Sequence, residues 1–371
     1  MIYFDNAATT WPKPPGVLRE LKRSITLYGG NPGRASHELS LRAAEKIDEV
    51  RHGVAALFSL PQPENVVFTL NATYALNLAI RTRVRRGMHV LISDREHNAV
   101  YRPVCRLSAE GIAEFDVFST RGDVRRNIEA LLRPETGMLI CNHVSNVDGA
   151  VAPIDKIGAV CREYGLYFII DASQSAGHVP LSFAPNALPD ALCAPAHKGL
   201  FGVQGCGFAW LKSAEELATF LEGGSGASSR LPTMPTSLPE KMEAGTLPTP
   251  AIAALGEGLR FLRSVGIDAV AAREAKLADR LCEHLSGEER IRIFRGEGAG
   301  LLSFICRGIS PDKLTSLLDA RGICVRGGLH CAPLAHTACG TGEAGAVRVS
   351  FSYFNREAEV DRFAEVLLSL L

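Results

Sequence analysis

The sequence predicts an α/β protein: a large domain on a mainly parallel central sheet, followed by a smaller α+β domain. Three observations predict it. Short runs that are apolar throughout recur along the first half of the chain. Amphipathic stretches of helical period separate several of them. After about residue 250 the pattern restarts with new strand-like runs and a closing helix. Strands apolar on both faces belong to parallel sheets covered by helices on both sides.

In chain order the apolar runs are NVVFTL, HVLISD, EFDVF, GMLICNHV, LYFIIDAS and ALCAPAH, each expected as a strand. Helical patterns cover Tyr74 to Arg85, Val100 to Ala109, Arg125 to Leu132 and Lys156 to Tyr164. From about Ser225 to Pro250 the residues Ser, Gly, Pro and Thr dominate and no apolar period survives, so a long irregular segment is expected there. A helical pattern then runs from Ala251 toward Val265. IRIFRG, LLSFIC, ICVRGG and AVRVSFS read as strands before a last helix from Glu357. The expected division is residues 1–250, including an N-terminal arm of 1–20, and residues 251–371.

The chain has 371 residues, 46% hydrophobic and 22% charged, which is ordinary globular composition with room for two domains. Lys plus Arg and Asp plus Glu number 40 each, so no net field favours nucleic acid or an anionic membrane. The N-terminus lacks the basic start and apolar core of a secretory signal, and no apolar run is long enough to span a membrane. Ten scattered cysteines without a CxxC pair are expected as thiols in a reducing compartment, and the expected location is the cytoplasm.

Ligands of such sheets gather where strand carboxyl ends lead into helix starts. Asp171 stands there, after FIID, either pairing with a cationic ring nitrogen or capping a helix. Lys198, after APAH, suits Schiff-base chemistry if burial lowers its pKa; otherwise it is a solvated loop lysine. Asn71, Ala72 and Thr73 lead from a strand into a helix, whose free N–H groups suit a phosphate or are merely capped. In RGGLHCAPLAH, Cys331 reads as a nucleophilic thiol assisted by His330 and Arg326, or as a buried cysteine. A third reading joins His330, Cys331, His336 and Cys339 around a metal, although their spacing matches no common zinc pattern. No metal is expected. A Schiff-base lysine, a ring-nitrogen carboxylate and a phosphate-binding helix start together describe a pyridoxal 5'-phosphate site.

The ordered motifs YFDNAATT, NPGRASHELS, NATYALNLA, EHNA, HVSNVDG, IIDASQSAGH, AHKGLFGVQG, GGSGASS, EAGT and RGGLHCAPLAH carry a resemblance. Their sequence resembles the class V aminotransferase superfamily, and within it the group II cysteine desulfurases and selenocysteine lyases. The resemblance implies the fold type I of pyridoxal-phosphate transferases. It implies that Lys198 anchors the cofactor and Asp171 pairs with its ring nitrogen. His97 would lie on the ring and move a proton, while Gln174 would bond the phenolic oxygen, with Asn146 near the same edge or near the substrate carboxylate. Thr73, the Ala72 position and His197 would form the phosphate cup, and Thr246 would reach the phosphate from a partner subunit. Arg348 would clamp the substrate carboxylate through a bidentate pair, Arg326 would sit at the mouth, and Cys331 would accept sulfur.

The implied activity is conversion of L-cysteine to L-alanine with a persulfide left on Cys331 for an acceptor protein, in a homodimer. Its rivals are a selenocysteine lyase acting on L-selenocysteine, an aminotransferase or β-lyase in which Cys331 is incidental, and a carrier that has lost its cofactor. Two positions depart from the family pattern: Pro195 stands where relatives often carry Ser, and Ala72 where a second phosphate-contacting Thr is common. Both remove hydroxyls from the phosphate cup.

Overall fold

The computed structural model describes residues 1–33, 37–183, 187–226 and 228–371. Arg34 to Ser36 of the NPGRASHELS motif and Ala227 of GGSGASS lie outside the described residues. The strands are β1 (Ile2–Tyr3), β2 (Val66–Thr69), β3 (Met88–Ser93), β4 (Ala113–Phe118), β5 (Thr136–Asn142), β6 (Tyr167–Asp171), β7 (Ala191–Pro195) and β8 (Gly207–Leu211). They continue with β9 (Ile291–Phe294), β10 (Leu301–Cys306), β11 (Ile323–Cys324), β12 (Arg326–Gly328) and β13 (Ala346–Ser350). The helices are α1 (Pro15–Leu27), α2 (Glu38–Leu57), α3 (Ala72–Arg83), α4 (Asn98–Ala109), α5 (Val124–Glu129) and α6 (Ile154–Glu163). After them come α7 (Thr249–Val265), α8 (Ile267–Leu285), α9 (Pro311–Asp319), α10 (Pro333–Cys339) and α11 (Glu357–Ser369).

Seven strands form the central sheet in the order β2-β8-β7-β6-β5-β3-β4. The pairs among β7, β6, β5, β3 and β4 are parallel, whereas β8 runs antiparallel to both β2 and β7. Alternate residues serve opposite faces, as strand geometry requires. Phe168 and Ile170 of β6 join one apolar cluster and Ile169 joins the other. Both faces are therefore covered, which is why these strands read as unbroken apolar runs.

Helices begin earlier than the apolar period alone indicates, because polar caps precede it. The Asn71 side chain accepts from Tyr74 N at 2.9 Å and starts α3 at Ala72. His97 Nδ1 accepts from Ala99 N at 3.0 Å and starts α4 at Asn98. Each satisfies one of the free N–H groups of a first turn.

The C-terminal strands make a four-stranded antiparallel sheet, β12-β13-β10-β9. The ICVRGG run is not one strand: it divides at Val325, with β11 pairing to β1 and β12 to β13. Through β1 the N-terminal arm enters this second core, where Phe4 is fully buried against Phe351 and Phe363. That insertion delivers Asp5 beside β12 and β13. The helix α7 packs on α1 and α2, and its Ile252, Leu255 and Leu259 join an apolar cluster of the central sheet.

Residues 213–248 hold neither helix nor strand among the described residues. Buried Glu243 ties this segment to α2 and β2: its oxygens accept from Arg51 Nη1 at 3.0 Å, Arg51 Nη2 at 3.1 Å and Phe68 N at 2.6 Å. No helix among the described residues is long and apolar enough to cross a membrane.

Candidate active site

Three parallel strands end side by side at Asn142, Asp171 and Pro195. The segments following β6 and β7 press together. A Cβ at Gly177, where φ is +82°, would collide with Gly199 O, and one at Gly199 would collide with Ala176 O. Only glycines allow that approach, and it places the Lys198 turn against the Asp171 turn.

The resulting cavity encloses about 460 Å³ of empty space, its mouth included. Lys198, Asp171, His97, His197, Gln174 and Asn146 line it, together with Ala72 and Thr73 from the first turn of α3. Eight expected site residues, drawn from separated stretches of the chain, thus meet in one place. Asn71, Asn142 and Pro195 complete much of the wall.

Burial lowers the Lys198 amine to about 8, with Asp171 opposing the shift and Arg348 and Arg326 adding to it. A neutral amine is therefore accessible far below the usual lysine range. Asp171 is 1% exposed, and its Oδ1 accepts from Ser173 N at 2.8 Å. It caps a turn, not the helix start that the sequence also allowed, and it faces the cavity. His97 is lowered to about 4, first by burial and then by Lys198. Because its Nδ1 accepts from a backbone N–H, the neutral ring carries its proton on Nε2.

Burial also lowers His197 to about 4, and its buried Nδ1 has no partner among the described residues. The same holds for Asn146 Oδ1 and Asn142 Oδ1. Gln174 Nε2 donates to Ala7 O at 2.9 Å, which fixes the amide against the N-terminal arm.

Cys331 is exposed and lies in an adjoining open cleft, about 700 Å³ of empty space on the same measure, that shares Thr73 and His97 with the first cavity. Its carbonyl accepts from Asn98 N at 2.7 Å, so the cysteine turn docks on the start of α4. The electrostatic help expected from His330 is absent. Burial and Arg348 lower this ring to about 3, its Nε2 donates to Arg326 O, and its Nδ1 faces His336 Nε2. Positive charge near the thiol comes instead from Arg326 and Arg348, both of which the Cys331 charge reaches. The metal reading is not assembled. His330 and His336 are bonded to each other, Cys339 donates to Asp148 at 3.2 Å, and no cluster of metal-ligating side chains forms among the described residues.

Asp5, given no role from the sequence, occupies both arginines. Its Oδ1 accepts from Arg348 Nη2 at 3.1 Å, and its Oδ2 accepts from Arg326 Nη2 at 2.8 Å and Nε at 3.0 Å. Arg348 Nη1 donates to Asn146 O at 3.0 Å, and its buried Nε has no partner among the described residues. A two-pronged clamp on a substrate carboxylate therefore competes with Asp5. Thr246 does not reach this cavity in its own chain; it is exposed, with Asn31 Nδ2 at 3.4 Å, in a groove also lined by Glu243. The signal for Asp5 was its place directly after YF at the chain start, but its partners lie 321 and 343 residues away.

Comparison with known proteins agrees along the whole length. The family model described as aminotransferase class-V matches residues 2–363. A probable cysteine desulfurase of Methanothermobacter thermautotrophicus is 31% identical, over 99% of this chain and 94% of its own. One of Mycolicibacterium paratuberculosis is 33% identical over 98% of this chain, which spans only 54% of that longer protein. Among solved structures, the apo cysteine desulfurase of Thermococcus onnurineus superposes with a TM-score of 0.90 at 28% identity, covering 100% of this chain and 94% of that one. A cysteine desulfurase of Escherichia coli gives 0.88 at 26% identity, covering 100% and 95%.

Proposed function

The chain belongs to the aminotransferase class-V family, and from that premise we propose that it is a pyridoxal 5'-phosphate-dependent cysteine desulfurase. One observation carries the reading: the amine of lowered pKa and the buried carboxylate share a cavity that adjoins an exposed thiol. The residues present fit the cofactor. The free first-turn amides of α3, Thr73 and the unpartnered His197 Nδ1 offer donors to a phosphate. Asp171 offers a carboxylate to a protonated ring nitrogen. Ala72 offers no hydroxyl, so the phosphate relies more on backbone N–H groups.

When bound, the cofactor supplies a carbonyl for amine capture and a cationic ring that withdraws electrons from the substrate Cα. Lys198 Nζ is the capturing amine and then the base that takes the Cα proton. Asp171 keeps the ring proton in place. His97, with its proton on Nε2, can donate within the same space. The Cys331 thiolate attacks the sulfur of L-cysteine: an S–S bond forms, the substrate C–S bond breaks, and its electron pair goes to carbon. One proton added at that carbon and one returned to Cα from Lys198 give L-alanine, and Cys331 holds a persulfide for transfer to an acceptor protein. Arg326 and Arg348 attract the substrate carboxylate. The same reading includes a functional division near residue 250, a homodimer whose Thr246 serves the partner's phosphate, and action in the cytoplasm.

Borohydride reduction of the yellow holoprotein tests the cofactor assignment. Pyridoxyl mass is expected on the peptide containing Lys198. Label on another lysine, or none from cofactor-saturated protein, would overturn it.

A further inference from the structure

Cys331 and the residue before it both adopt left-handed backbone, with φ of +56° at Cys331 and +49° at His330. Two consecutive side-chain-bearing residues rarely hold that conformation unless their surroundings enforce it. The enforcing contacts can be traced. His330 O accepts from Asn146 Nδ2 at 2.7 Å, Cys331 O accepts from Asn98 N at 2.7 Å, and Ala332 N donates to Leu329 O at 2.8 Å. These hold the backbone on either side of the thiol.

The side chain of His330 adds a chain of three hydrogen bonds, which with both rings neutral runs from Thr341 toward Arg326 O. Arg326 O, a carbonyl, can only accept, so His330 Nε2 at 3.1 Å carries the proton. The ring is neutral, so its Nδ1 accepts, and His336 Nε2 at 3.1 Å donates. His336 Nδ1 then accepts from the Thr341 hydroxyl at 2.6 Å, whose other acceptor, His336 O, lies farther away at 3.3 Å. The two rings stack with centroids 5.2 Å apart and planes 27° apart, and His330, His336 and Thr341 are all buried. Burial, with Arg348 nearby, keeps both rings neutral. A neutral donor–acceptor chain thus links β12, the cysteine turn, α10 and the loop after α10.

We propose that His330, His336 and Thr341 form a positioning relay that holds Cys331 in its left-handed turn, with the thiol set for attack on the substrate sulfur. The inference rests on the reading of Cys331 as the sulfur acceptor. None of the three is a catalytic residue: they act through the turn. His336 is the central member, since it needs a donor toward His330 and an acceptor toward Thr341 at once. A glutamine supplies both as a neutral group, whereas a leucine supplies neither.

The test compares wild type, His336→Gln, His336→Leu and Thr341→Val as holoenzymes, with rates of persulfide formation on Cys331 and steady-state kinetics on L-cysteine. His336→Leu should keep the cofactor absorbance and KM while kcat falls by about ten- to a hundredfold, the scale of a displaced reacting group. His336→Gln should recover most of that loss. Thr341→Val, which loses only a hydroxyl, should fall between them and unfold at nearly the native temperature. A native persulfide rate in both His336→Leu and Thr341→Val, or no recovery in His336→Gln when it folds with full cofactor, would overturn the relay. Wild type that makes no persulfide on Cys331 would sink the underlying reading, and the relay with it. The two failures are therefore told apart by the wild-type measurement.

Discussion

The Lys198 cavity and the Cys331 turn adjoin, but they are built by different means. The cavity is a product of the sheet. Asn142, Asp171 and Pro195 end neighbouring parallel strands, and Lys198 follows three residues later. Its geometry follows from strand register and from glycine packing behind it. The cysteine turn has no such support. It sits between a three-residue strand and a seven-residue helix, adopts left-handed backbone without glycine, and is held by side chains reaching in from Asn146 and His336. In the proposed reaction a rigid scaffold prepares proton transfer at Cα, while an exposed, separately held thiol receives sulfur and can present it outward. The contrast suits a reaction whose product must leave the pocket on the protein itself.

Removing the amine should break the first region completely. Lys198→Ala is expected to retain cofactor through the phosphate contacts yet lose on the order of 10³-fold or more in kcat, since no base remains for the Cα proton. Steady-state alanine formation measures it. Activity within tenfold of native would move the base elsewhere.

Asp171→Asn is expected to cost on the order of 10²-fold in kcat, the scale of one electrostatic partner removed from a dry site. Cofactor content should change much less, and comparing the two by absorbance and rate separates ring chemistry from binding. Near-native kcat would leave Asp171 only its cap on Ser173.

Asp5→Asn probes the junction between the regions. It leaves buried Arg348 without a carboxylate, and a buried charge deprived of its partner costs about 3 kcal/mol. Half-exposed Arg326 should contribute little, because water solvates it. Denaturant unfolding should show the loss. An unchanged midpoint would mean that water, not Asp5, satisfies Arg348.

The smallest expected effect is in pH. In the proposed function the neutral Lys198 amine captures the cofactor, and burial lowers its pKa to about 8. Reconstitution of apoprotein should therefore accelerate about tenfold per pH unit below that value and level off above it. A rate still rising steeply at pH 10 would mean that burial does not lower the amine.

The strand ends of the cavity were legible because it is sheet-built: unbroken apolar runs end in Asp171 and approach Lys198, whereas His97, Gln174 and Asn146 were reached only through the family resemblance. β8 was not, because GVQGCG reads as a turn and the strand inserts antiparallel between β2 and β7. Helix starts were placed late because Asn71 and His97 act before the apolar period begins. Around Cys331 the sequence revealed the thiol but not its support. Local motif reading does not join Asp5 to Arg348, nor show that His330 and His336 spend their nitrogens on each other rather than on the thiol or a metal. Those facts depend on contacts between distant segments and on a backbone conformation that non-glycine residues seldom announce.

The most direct test of the whole account is a single turnover of holoprotein with L-cysteine, followed by peptide mass spectrometry. The account predicts one L-alanine for each persulfide, with the persulfide on Cys331 alone among the ten cysteines, and neither product from Cys331→Ala although its cofactor colour persists. Persulfide on Cys324 or Cys339, or alanine released at the native rate by Cys331→Ala, would contradict it.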